Sequence, residues 1–188
     1  RGVPVGRGVG AAPDRLGGFF MVVAGLVGAV AALYGIGYVQ GPAASRTSWS
    51  AMALFLLALQ LVPAAADAVS FLLCWELMAV ASTVLLLADH AHRAPVHSAA
   101  LWYSVMTHFS FVMLLLGFAV LSAAGDGTGF TAMAEVPADS GTASVAFALL
   151  IVGFASKAGI VPLHVWLPRA HPEAPSHVSA VMSAAMVK

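Results

Sequence analysis

An all-α, polytopic transmembrane helix bundle is the fold this sequence predicts, and three observations predict it. Of its 188 residues, 61% are hydrophobic and only 9% charged, against about 25% charged in a soluble domain. Mean hydropathy is +0.94. Apolar runs close to the roughly 20 residues a bilayer core requires recur along the chain, separated by short polar connectors.

The same composition narrows function. Net charge is zero with His neutral, so no basic surface points to nucleic acid. The single cysteine, Cys74, lies in an apolar run and excludes an intrachain disulfide. The sequence has no initiator Met and its last residue falls within an apolar helix, so an internal piece of a longer protein is expected. The Gly- and Pro-rich start carries no apolar core of a signal peptide.

Residues 1–15 hold Arg1, Arg7 and Arg15 and read as an N-terminal loop; residues 16–188 read as the bundle. The first span is 16–39, with Gly25, Gly28, Gly35 and Gly37 allowing close helix contact. A polar connector follows, with Arg46 and Trp49 as an interfacial anchor. Residues 52–88 are too long for one crossing, since a single helix would run about 55 Å at 1.5 Å per residue. The break at Pro63 to Asp67 predicts two spans, 50–66 and 69–89. DHAHRAPVH, residues 89–97, is a polar loop, and 98–121 is the fourth span, interrupted by Thr107 and His108. A Gly-, Asp- and Ser-rich connector leads to the fifth span, 143–164. A sixth, 177–188, is cut off at Lys188. No internal repeat is visible within this length.

Alternation puts Arg46, Arg93 and Arg169 on one side and Asp67, Asp126, Glu135 and Asp139 on the other. The positive-inside rule places the first side in the cytoplasm, although the three N-terminal arginines favour the reverse.

Three ionisable residues fall inside spans: Glu76, Lys157 and Lys188. Counting 1.5 Å per residue from the span ends, their depths are about 10, 11 and 16 Å, near the middle of a core about 30 Å thick. Charge at such depth is costly and by default functional. One reading is a Glu76–Lys157 ion pair that only fixes helix packing, although such pairs rarely add net stability. The other is a proton relay. Desolvation favours a neutral amine and a nearby carboxylate favours the charged one, so moving the carboxylate moves a proton. His108, the one mid-span histidine, fits an interhelical hydrogen bond or a relay step. Pro162 and Pro168 break the fifth span near its end, where freed carbonyls need protein or water. His90, His92, His97, His164, His171 and His177 sit in loops or at span ends, and an H-x-H spacing does not share a helical face, so no metal site is expected. A membrane haem would need paired mid-span histidines.

The stretch GFASKAGIVPLHVWLPRAHPEAPSHVSAVMSAAMVK, Gly153 to Lys188, resembles the signature of the proton-conducting membrane transporter family. That family comprises the antiporter-like subunits of complex I, the Mrp-type multi-subunit antiporters and the membrane subunits of energy-converting hydrogenases. FLLCWELMAVASTVLLLADH, YSVMTH, DRLGGFF and ALYGIGY fit it as well, so the resemblance runs from about residue 14 to the end. Arg169 and His171 in WLPRAHP are most similar to the hydrogenase-4 / formate hydrogenlyase large membrane subunits; complex I relatives more often carry Asp after the proline. The resemblance implies an antiporter-like fold of two inverted repeats, each with a broken helix, of which this piece is most of the first. It implies Glu76 as the gating carboxylate, Lys157 as the broken-helix lysine and Lys188 as the lysine passing protons onward. With His108 and His164 these are the expected proton-relay residues.

The expected function is that of a proton-translocating membrane subunit of a hydrogenase-4/formate hydrogenlyase- or complex I-type redox complex. The alternative is a subunit of a multi-subunit Na+/proton antiporter; a purely structural anchor is a third class that the buried charges argue against. No catalytic residue, redox site, cofactor or metal is expected in this chain, so as part of an NADH-quinone oxidoreductase- or hydrogenase-type oxidoreductase it would be non-catalytic. Expected partners are other membrane and peripheral subunits, the lipid bilayer and protons, with Na+ as the alternative ion. The expected location is the cell membrane, multi-pass, as in a bacterial inner membrane.

Overall fold

The structure is a computed structural model that describes residues 11–39, 45–88 and 94–187. Helix α1 covers Arg15–Tyr38, α2 Arg46–Leu61, α3 Ala68–Ala88 and α4 Ala94–Ala124. A single turn, α5 (Phe130–Met133), precedes α6, Gly141–Ala158. A 3-10 turn at Leu163–Trp166 then leads into α7 (Leu167–Glu173), α8 (Ser176–Val181) and a π-helical turn, Met182–Met186. Among the described residues there are no strands, only isolated bridges pairing Ala11 with Ala65 and Asp67 with Gly129. Five helical segments are long and apolar enough to cross a membrane, and the chain is a multi-pass membrane protein. Residues 1–10, 40–44, 89–93 and Lys188 lie outside the described residues, which takes in most of the polar loop expected over 89–97; its last four residues, 94–97, are instead the first turn of α4.

The helices begin where side chains can satisfy the free amides of a first turn. Asp14 accepts from the Gly17 amide at 2.6 Å, Ser45 from Ser48 at 3.1 Å and Ser140 from Ala143 at 3.1 Å. Asp67 starts α3 in the same way, accepting from the Ser70 amide at 2.8 Å and its hydroxyl at 2.6 Å. Residues 51–89 are therefore not one helix. The chain breaks in a 3-10 turn at Val62–Ala64, with Pro63 inside it, and resumes at the Asp67 cap. Helix α4 is longer than hydropathy indicates, 31 residues. Pro95 suits a first helical turn, and alanines at 123 and 124 continue the helix past Ser122.

Helices α4 and α6 form the tightest interface. The Ser110 hydroxyl donates to the Gly153 carbonyl at 2.8 Å, and the Ser156 hydroxyl to the Met106 carbonyl at 3.2 Å. Gly153 permits that approach: a Cβ there would sit 2.8 Å from the Leu114 side chain and 3.1 Å from the Ser110 carbonyl oxygen. Overpacking of this kind costs about 1–3 kcal/mol. Gly153→Val is therefore expected to lower the thermal midpoint of the purified protein, while Gly18→Ala, with nothing within 4 Å of its Cβ, leaves it in place. Equal midpoints for the two variants would show that α4 and α6 are not held by this contact.

Around this interface sits a core of Phe55, Trp75, Met78, Tyr103, Leu114 and Trp166, all buried. The outer face of α1 is apolar and exposed, with Leu16, Phe19, Leu26, Val30 and Leu33, a surface suited to lipid or to further membrane helices.

Candidate functional site

Helix α6 stops short of His164. Gly159 adopts φ +69°, ψ 35°, a left-handed conformation open to glycine. Its amide and that of Ile160 close back on the Ser156 carbonyl at 3.3 Å and the Ala155 carbonyl at 3.0 Å, the usual glycine-capped helix end. Pro162 follows and prevents the helix from resuming at once. The break leaves carbonyls to satisfy inside a membrane segment, and Trp166 takes one, its Nε1–H donating to the Ser156 oxygen at 2.9 Å.

Lys157 lies in the last turn before this break. It is 2% exposed, and Nζ has no hydrogen-bond partner among the described residues. A cation near a helix C-terminus gains from the partial negative charge of the terminal carbonyls. The amine lies 5.6 Å from the ring centroids of both Trp75 on α3 and Tyr103 on α4. It also lines a cavity of about 490 Å³ whose other walls include Phe19, Phe71, Phe154 and Met186.

Both rings are themselves held. Trp75 stacks on Phe71 at 5.2 Å and meets Phe154 edge-on at 5.7 Å. Tyr103 is fully buried; its hydroxyl lies 2.6 Å from Ser82 Oγ and 3.3 Å from Met186 Sδ, and its ring meets Trp166 at 5.2 Å.

Glu76 is one residue beyond Trp75, so it points about 100° further round α3. Its Oε1 lies 2.9 Å from His108 Nε2, with side-chain exposures of 27% for Glu76 and 51% for His108. Its Oε2 is buried without a hydrogen-bond partner. Glu76 and Lys157 make no ion pair: the expected partner of the lysine is turned towards α4 instead. His108 Nδ1 sits 2.7 Å from the Ser104 carbonyl oxygen.

His164, in the 3-10 turn, has a buried Nδ1 without a partner and makes no hydrogen bond to Lys157 or Glu76. Lys188 lies outside the described residues. Of the five expected relay residues, then, Glu76 and His108 are in contact, and Lys157 stands apart from them against Trp75 and Tyr103. The residues that sequence reasoning passed over are Trp75, Tyr103 and Trp166. All three were legible as neighbours of named positions, Trp75 in WELM, Tyr103 in YSVMTH and Trp166 in WLPRAHP.

The described residues thus form a multi-pass helical membrane unit whose broken helix carries a buried lysine in its last turn before the break, with a carboxylate on α3. The family model described as NADH:quinone oxidoreductase/Mrp antiporter, TM, matches residues 65–188, and the chain belongs to that family. It is 53% identical over 174 residues to an uncharacterised protein of Mycobacterium tuberculosis strain H37Rv, covering 93% of this chain and 27% of that protein. It is 32% identical over 178 residues to hydrogenase-4 component B of Escherichia coli K12, covering 93% of this chain and 26% of that one. The chain thus spans about a quarter of the length of these curated relatives. In the structure of the Mrp complex from Dietzia sp., a chain matches with TM-score 0.83 at 22% identity, over 93% of this chain and 33% of that one. That likeness shows the antiporter-like fold.

Proposed function

We propose that this chain is the proton-conducting part of a membrane subunit in a hydrogenase-4- or complex I-type redox complex. One observation carries the reading: Lys157, buried at a helix break, has no hydrogen-bond partner among the described residues, and on α3 the carboxylate Glu76 follows directly on Trp75, whose ring faces the amine. An amine so placed can be switched between charged and neutral forms by small movements of the surrounding charge, because each 1.36 kcal/mol of differential interaction changes the protonation ratio tenfold. Glu76 supplies that movable charge. Held at His108, its carboxylate favours the proton on Lys157 weakly; turned towards α6, it favours it strongly. Lys188 is proposed as the next acceptor. His164, near the break, is the proposed group on the other flank.

Other membrane and peripheral subunits are the proposed partners, on the likeness to a chain of the multi-subunit Mrp complex. The cell membrane is the proposed location. The likeness of WLPRAHP to the hydrogenase-4-type subunits favours a redox-driven pump over an Na+/proton antiporter. Vesicles carrying the assembled complex test this. Lumen acidification on adding the electron donor, without added Na+, is the expected result. Proton movement that needs an Na+ gradient and ignores the donor supports the antiporter reading instead.

A further inference from the structure

The relay residues do not account for how Lys157 keeps a proton while Glu76 is engaged by His108. A buried ammonium with no acceptor is expensive, and the described residues offer its nitrogen no hydrogen bond. What they offer is two aromatic faces, Trp75 and Tyr103, at the same 5.6 Å distance. That separation is within the range at which a ring quadrupole attracts a cation, and the attraction is strongest where water is excluded.

We propose that Trp75 and Tyr103 are positioning residues that form an aromatic clamp for the ammonium of Lys157, holding the proton there while Glu76 is turned away. Three structural features distinguish a clamp from a chance wall. The two rings come from different helices, α3 and α4, and converge on one atom. Each ring is fixed by independent contacts: Trp75 by Phe71 and Phe154, Tyr103 by Ser82, Met186 and Trp166. The remaining surroundings contribute little charge. On α3 the charged group is Glu76, turned towards His108 on α4, and the α4 group facing the amine is Tyr103 itself. Helix α1 and residues 184–187 turn apolar side chains to the shared cavity. His164, on the segment after the break, makes no hydrogen bond to the amine.

The clamp rests on the relay reading above, and its test separates the two. Fluorination of the indole at position 75 by site-specific incorporation keeps shape and packing but progressively weakens the ring's attraction for a cation. In the assembled complex in vesicles, proton uptake is measured against pH for Trp75 and for its mono-, di- and trifluorinated forms. A ring that favours the charged amine, once weakened, lets the proton go at lower pH. The midpoint of the profile is therefore expected to move down stepwise with fluorine number, by about half to one pH unit over the series. At position 103, Tyr103→Phe keeps a face and is expected to stay near the wild-type profile, whereas Tyr103→Leu moves it down. A midpoint indifferent to fluorine, or Tyr103→Phe moving as far as Tyr103→Leu, overturns the clamp. If Lys157→Ala is inactive in the same preparation, that failure leaves the relay standing; if Lys157→Ala pumps normally, the relay itself has failed.

Discussion

Lys157→Ala is expected to abolish proton translocation by the assembled complex, to the level of vesicles without it, while part of the electron-transfer rate survives. The amine is the buried titratable group at the break, and alanine leaves nothing there that can take a proton. Lys157→Arg is the more informative variant. A guanidinium with pKa above about 12 keeps its proton throughout the working range, so it preserves the charge near Glu76 but cannot release it. The relay reading predicts that Lys157→Arg pumps no better than Lys157→Ala. A structural role, in which Lys157 only supplies positive charge to a packed bundle, predicts rescue by arginine. The measurement is proton uptake per electron transferred, compared at equal assembly. Full pumping by Lys157→Arg ends the relay reading.

Much of the fold was legible because bilayer thickness constrains helix length and polar residues punctuate it. Asp67 after Pro63 marked a helix restart, and the structure shows the aspartate capping α3. The helix break after Lys157 was legible in its prolines, but its place was not. Gly159 ends α6 by adopting a left-handed conformation, and hydropathy is blind to that. An expected depth follows from a residue count; azimuth does not. Glu76 and Lys157 were expected at similar depth and near enough to couple, yet the side chain that faces the lysine from α3 is Trp75. One residue is about 100° of rotation, and on an apolar helix with no polar stripe the sequence contains no signal that fixes which face turns inward. The resemblance through WELM and YSVMTH placed Trp75 and Tyr103 in matching motifs but assigned them no role, because both read equally well as core.

The Glu76–His108 contact carries the second large effect. His108 Nδ1 is 2.7 Å from the Ser104 carbonyl oxygen, which can only accept, so Nδ1 carries a hydrogen. In the neutral ring Nε2 then has none, and it faces Glu76 Oε1 at 2.9 Å. Two acceptors do not meet at that distance without a proton between them. In the relay reading that proton is the one in transit, and passing it on breaks the contact and frees the carboxylate to turn. His108→Gln keeps a donor for Glu76 but cannot give its proton away. It is expected to slow translocation on the order of a hundredfold, the low end of what a positioned proton carrier contributes. Glu76→Gln is expected to do the same from the other side. Because the two act as a unit, the double variant Glu76→Gln/His108→Gln should be no slower than either single one. Independent packing roles predict instead that the losses multiply, and that His108→Gln alone pumps near normally, since its amide preserves the hydrogen bond. Proton uptake rates for the four proteins at matched assembly decide between a shared proton and a structural hydrogen bond.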